Sequence, residues 1–79
     1  MQTSKNTVDL RGMRAEEAAL HLNMAISARE QLSVIFVVHG MGTGAVKECA
    51  LKVLGQHPRV AKYEPENPMN FGCTVAYIK

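Results

Sequence analysis

Two short stretches of this 79-residue chain carry the side chains best suited to chemistry. Asp9 and Arg11 flank one apolar residue in an alternating pattern, so they share one face of a short strand, about 6–7 Å apart. His39 precedes a loop with glycine at positions 40, 42 and 44, and a helical pattern follows. A strand, a glycine loop and a helix N-terminus together direct backbone N–H groups at one point, which favours an anion such as phosphate.

Each of these features also has a purely structural interpretation. His39 can act as acid, base or phosphate donor because imidazole titrates near neutral pH, or local hydrogen bonds can hold it. Asp9 can be a general base or metal ligand, or it can simply pair with Arg11. The glycines follow GxGxG rather than the dinucleotide-binding GxGxxG, and the GK[ST] of a Walker loop is absent. The glycines alone therefore leave phosphate binding and a plain tight turn as alternatives.

The composition places the chain among small globular domains. Hydrophobic residues make up 47% and charged residues 20%, which excludes a disordered tail. No apolar run approaches the length of a membrane span, and residues 1–6 lack the apolar segment of a signal peptide. Cys49 and Cys73 do not form a CxxC motif, so we expect two buried thiols in a reducing, intracellular compartment. Cytoplasm, nucleus and organelle are not distinguished.

The periodicity predicts an α/β domain over residues 7–79 behind a polar leader at 1–6. Strands are predicted at 7–11, 33–38, 60–64 and 73–78, helices at 14–31 and 45–56, and a loop at 65–72. Right-handed crossovers make the first three strands parallel, and the last loop reverses the fourth. Two helices are too few to cover both faces of four strands. We therefore expect a two-layer sandwich, β-α-β-α-β-β, with both helices on one face of a mixed sheet.

Ligands of open α/β sheets bind beyond the carboxyl ends of the parallel strands. We call this edge the strand-end rim. Its candidate residues are Asp9, Arg11, Gly12, Arg14, His39, Gly40, Met41, Gly42, Thr43, Gly44 and Lys47. The other basic side chains, which include Lys52, Arg59 and Lys62, are predicted to lie toward the opposite end. A net charge of only +2 can thus accompany a locally positive rim.

These motifs together resemble the Smr (small MutS-related) domain. The likeness rests on Val-Asp-Leu-Arg-Gly at 8–12, on His-Gly-Met-Gly-Thr-Gly at 39–44, on His-Pro at 57–58 and on Gly-Cys-Thr-Val at 72–75. It extends from about Thr7 to Ile78. The chain is most similar to the Smr domains that end MutS-two proteins, where Asp-Leu-Arg is common.

The resemblance implies a two-layer fold similar to the C-terminal domain of a bacterial translation initiation factor, with strand order 1-2-4-3. It also implies nucleic-acid binding, with endonuclease or nicking activity on DNA or RNA in repair, recombination or ribosome-associated work. Asp9, Arg11 and His39 are then the candidate catalytic residues. Asp9 would act directly or through a divalent cation such as magnesium. The residues of the strand-end rim would bind the nucleic acid.

The implied partners are branched or duplex DNA, structured RNA or a ribosome, with no membrane. The chain would be the C-terminal fragment of a larger protein with a MutS-like ATPase domain. Arg11 stands where many members have histidine, and Met41 stands where many have lysine. These departures bear more on cleavage than on binding. The alternative hypotheses are therefore a docking module without catalysis, which serves the ATPase domain, and a sensor of free nucleotides.

Overall fold

The computed structural model describes residues 6–40, 44–67 and 70–79. The elements in chain order are β1 Thr7–Asp9, α1 Ala15–Ser27, β2 Val34–Val38, α2 Ala45–Gln56, β3 Val60–Asn67 and β4 Asn70–Ile78. This order confirms the predicted β-α-β-α-β-β arrangement. The helices among these residues include none long and apolar enough to cross a membrane.

The four strands form one mixed sheet with the order β1-β2-β4-β3. β1 and β2 are parallel, whereas β4 runs antiparallel to both of its neighbours, β2 and β3. The strand order and directions match the prediction. Because β1, β2 and β3 all run the same way, their carboxyl ends meet at one edge of the sheet. Both helices begin just after a strand ends at that edge, so their N-termini lie there too.

The core lies between the sheet and the two helices. Ile35 and Val37 on β2 are fully buried, while the residues that alternate with them are only partly covered. The apolar stripes of α1 and α2 bury Leu22, Ile26 and Leu54 against this face. Both helices pack on this one face of the sheet, which confirms the predicted two-layer arrangement.

The predicted loop at residues 65–72 is wrong in extent. β3 continues to Asn67 and β4 already begins at Asn70. Most of this segment therefore belongs to the two antiparallel strands of a hairpin. Pro65 pairs with Thr74, and the register shifts just after it. β3 is an edge strand with only β4 beside it, and an edge position tolerates a proline because its missing N–H is not needed for a second partner.

The ends of β1 and α1 also differ from the prediction. β1 ends at Asp9 rather than at residue 11, and α1 spans Ala15–Ser27 rather than residues 14–31. At the helix start, Glu17 Oε1 accepts the Arg14 backbone N–H at 3.4 Å, which is one half of a capping box. At the helix end, Arg59 Nη1 donates to the carbonyls of Ile26 and Ser27 at 3.1 and 3.0 Å. A side chain that is distant in sequence therefore caps the C-terminus of α1.

Replacing Arg59 with alanine should destabilise the fold. The partly buried guanidinium satisfies two terminal carbonyls of α1, and hydrogen bonds from a charged donor contribute about 1.5–3 kcal/mol. We expect Arg59→Ala to lower the free energy of unfolding by that amount in urea denaturation. Lys52→Ala, on the exposed surface of α2, is the matched control and should change it by less than about 0.5 kcal/mol. Equal losses in the two variants would contradict the capping role.

Candidate functional site

Asp9 and Arg11 form a two-pronged ion pair at the end of β1. The backbone N–H and the Nε of Arg11 both donate to Asp9 Oδ1 at 3.0 Å. Arg11 Nη2 donates to Oδ2 at 2.8 Å, so both carboxylate oxygens are occupied. The pair lies at the surface, with side chains 64% (Arg11) and 48% (Asp9) exposed. Both groups are therefore accessible to a ligand from solvent.

This pairing sets the protonation state of Asp9. The side-chain hydrogen bond from Arg11, followed by its backbone N–H, lowers the pKa of Asp9 from 3.8 to about 2. The same contact raises the pKa of Arg11. A carboxylate with so low a pKa is ionised at neutral pH and is a poor proton acceptor while the pair is intact. Any stability that the pair contributes is present above pH 3.8 and is lost as pH falls toward 2.

The two sequence motifs lie close together at a glycine. A Cβ atom placed on Gly40 would lie 3.7 Å from Arg11 Cγ, so the arginine side chain passes close to the start of the glycine loop. Gly12 and Gly40 both have positive φ, 83° and 88°, which other residues rarely adopt. The Leu10 N–H donates to the Val38 carbonyl at 2.8 Å. This bond keeps the segment that follows β1 paired with the end of β2.

His39 is buried at the end of β2, only 6% exposed, and both of its ring nitrogens have partners. Nδ1 lies 3.0 Å from the Gly40 carbonyl oxygen, and Nε2 lies 2.8 Å from the hydroxyl of Thr74, itself 5% exposed. Because a carbonyl can only accept, Nδ1 donates to it, and Nε2 shares a hydrogen bond with the Thr74 hydroxyl, which can donate or accept. The Gly72 carbonyl accepts the backbone N–H groups of His39 and Gly40, each at 3.0 Å. His39 thus holds the first residue of the loop in place.

The remaining candidates lie at the starts of the two helices. Arg14 is the N-cap residue of α1, Gly44 is that of α2, and Lys47 lies in the first turn of α2. Met41, Gly42 and Thr43 lie outside the described residues. The described candidates therefore collect at the same edge of the sheet, the strand-end rim.

Thr74 and the Gly72 carbonyl are parts of this site that the residue types alone do not reveal. The sequence does carry a signal for Thr74, because it shares the inward-facing register of β4 with Ala76 and Ile78, both buried. A polar residue in such a register needs a buried partner. Only the pairing of β2 with β4 identifies that partner as His39.

The described donors do not fit a metal ion held by the protein. Within residues 6–40, 44–67 and 70–79, no three or more His, Cys, Asp and Glu side chains lie together as a ligand set. Asp9 presents both oxygens to a guanidinium, whose positive charge opposes a cation at the same place.

The architecture and site together define a two-layer α/β domain with a loop and two helix N-termini at one sheet edge. The Smr domain family model matches residues 8–79, and the chain belongs to this family. In solved structures, the chain is similar to the Smr domain of Thermus thermophilus MutS2, with a TM-score of 0.84 and 31% sequence identity. That match covers 92% of this chain and 96% of the other.

Among curated proteins, the chain is similar to proteins named Endonuclease MutS2. The identity is 36% over the whole of this chain for Synechocystis sp., and 42% over 95% of it for Lactococcus lactis subsp. cremoris. In each case the match covers 10% of the relative. The chain therefore spans about a tenth of the length of these relatives.

Removing the Thr74 hydroxyl should destabilise the domain, because a buried hydrogen bond is lost. In Thr74→Val the shape is kept but His39 Nε2 loses its buried partner, which costs about 1–3 kcal/mol of unfolding free energy. Thr74→Ser, which keeps the hydroxyl, should cost clearly less. Urea denaturation measures both values. A loss in the serine variant as large as that in the valine variant would show that packing, rather than the hydrogen bond, is the main contribution.

Proposed function

We propose that this domain binds nucleic acid at the strand-end rim and cleaves a phosphodiester bond held there. The observation that carries the proposal is the proximity of the Arg11 side chain to Gly40, which brings the Asp9–Arg11 pair next to the first residue of the glycine loop. Membership of the Smr family and similarity to proteins named Endonuclease MutS2 support it.

Binding would begin with the exposed guanidinium. Arg11 uses two of its five N–H donors on the Asp9 side chain, and a phosphate can accept from the same planar fork. Lys47 and the N-terminus of α2 add positive charge from the second motif. The arrangement reads the sugar–phosphate backbone rather than the bases, which suits both DNA and RNA.

The ion pair would then couple binding to chemistry. A phosphate that draws Arg11 away removes the main cause of the low pKa of Asp9, so the pKa of Asp9 rises toward its ordinary value. The released carboxylate can accept a proton from an attacking water. The water oxygen bonds to phosphorus as the ester bond to the leaving oxygen breaks, solvent protonates that leaving oxygen, and Asp9 then returns its proton to solvent. Arg11, Lys47 and the backbone N–H groups stabilise the developing charge.

His39 has a positioning role in this mechanism. Its two ring nitrogens are committed to Gly40 and Thr74, and the ring is buried. It would therefore shape the phosphate-binding loop without exchanging a proton with the substrate. The contribution of His39 would then be the conformation of this loop.

One observation favours a second candidate function, a docking module without cleavage. Asp9 and His39 already have partners for all their functional atoms, so an acid–base pair is not preformed. Such a module would hold DNA, structured RNA or a ribosome for an attached MutS-like ATPase domain. Cleavage assays on branched DNA and structured RNA, with and without magnesium, decide between the two. Binding without cleavage in every condition would support the docking module and contradict the nuclease proposal.

Asp9→Asn should separate binding from cleavage. The amide no longer competes with phosphate for Arg11, so affinity for a DNA or RNA duplex should rise about two- to fivefold. Loss of the carboxylate should lower the cleavage rate by about a hundredfold or more. Glu16→Gln, in the exposed first turn of α1, removes the same charge without touching the pair and is the matched control. Equal gains in affinity would indicate general electrostatics instead of release of Arg11.

The salt dependence of binding should identify the phosphate contacts. Each basic residue that contacts a phosphate releases about one counterion, so Arg11→Ala, Arg14→Ala and Lys47→Ala should each reduce the slope of log K against log salt by roughly one unit. Lys52→Ala and Lys62→Ala, away from the strand-end rim, should leave it unchanged. Fluorescence anisotropy between about 50 and 200 mM salt measures the slopes. Equal effects at Lys52 and Arg11 would place the contacts elsewhere.

A further inference from the structure

A cavity of about 180 Å³ lies between α2 and the β3–β4 hairpin. Leu51, Tyr63 and Pro65 form its apolar walls, and the lining is completed by Lys47, Glu64, Cys73 and Thr74. An apolar cavity of about 150 Å³ is known to accept benzene. The space is therefore sufficient for one aromatic ring, and its walls are of the kind that such a ring prefers.

The cavity is continuous with the candidate site through two residues. Lys47 lies in the first turn of α2, at the strand-end rim, and also lines the cavity. Thr74, another lining residue, holds His39 through its hydroxyl. A ligand with a phosphate at the strand-end rim thus has the cavity immediately beside it.

The aromatic wall is held by a close contact with α2. The Tyr63 hydroxyl lies 3.0 Å from the position that a Cβ on Gly55 would occupy. The absence of a side chain at Gly55 therefore lets the ring approach the helix. Tyr63 is still 41% exposed, so its ring is accessible to a ligand. A preplaced, accessible ring can stack on a base with little loss of side-chain entropy.

We propose that this cavity receives one unpaired base of the nucleic acid, next to a phosphate bound at the strand-end rim. The inference rests on the proposed function and specifies its substrate class. A base in an intact duplex must be unstacked and unpaired before it can enter, at an energetic cost, whereas an unpaired or mismatched base enters more readily. The domain therefore prefers branched, bulged or single-stranded positions to continuous duplex.

The test uses oligonucleotides with 2-aminopurine at either an unpaired or a paired position. The chain has no tryptophan, so excitation of the probe is selective. Stacking on Tyr63 should quench an unpaired probe saturably, and a terminal dye reports binding by anisotropy in the same sample. Tyr63→Leu removes the stacking wall, and Leu51→Phe fills the cavity. Each should reduce the preference for the unpaired substrate by roughly tenfold.

Phe36→Leu is the matched control. Phe36 alternates on β2 with the buried Ile35 and Val37, so it lies on the sheet face away from the helices, and it does not line the cavity. It should leave both the quenching and the preference unchanged, and circular dichroism checks that all variants are folded. Salt-dependent binding without quenching, or equal effects of Tyr63→Leu and Phe36→Leu, would overturn the cavity proposal and leave the proposed function intact. Failure of every oligonucleotide to bind would overturn both.

Discussion

The buried hydrogen bonds of His39 are the constraint on which the site depends. A ring that is 6% exposed must satisfy both nitrogens, and it does so with the next residue's carbonyl and with Thr74 on the neighbouring strand. The first bond shapes the start of the glycine loop, and the second ties that loop to β4. The Gly72 carbonyl adds two backbone bonds at the same place. The loop therefore begins from a rigid support rather than from a free strand end.

The Asp9–Arg11 pair differs from this rigid support, because it is exposed and either partner can be replaced by a ligand. An ion pair in water contributes little to stability, since solvent screens it. The same screening means that a phosphate can replace the carboxylate at moderate cost. A buried framework next to an exchangeable surface pair is a reasonable basis for a site that must hold a charged polymer and then release it. The proposed rise in the pKa of Asp9 follows from that exchange.

The position of the cavity extends this arrangement from the phosphate to the base. In the proposed function the strand-end rim alone would contact features that every nucleotide shares, so it would give affinity without selectivity. A neighbouring space for one ring makes the selection depend on whether a base is free to leave its stack. Discrimination by nucleic-acid structure would then come from the β3–β4 hairpin, whose pairing places Tyr63 and Pro65 opposite α2.

From the sequence alone the order of the elements and the edge where the candidate residues meet could be predicted, because hydrophobic periodicity is local and crossover connections have a nearly fixed hand. The sequence also indicated the family, through motifs at 8–12 and 39–44. It did not predict the long hairpin, because Pro65 reads as a loop residue until its strand is known to be an edge. The partner of His39, the capping of α1 by Arg59 and the cavity beside Lys47 likewise depend on tertiary structure. Each depends on side chains brought together from distant parts of the chain, which no local pattern specifies.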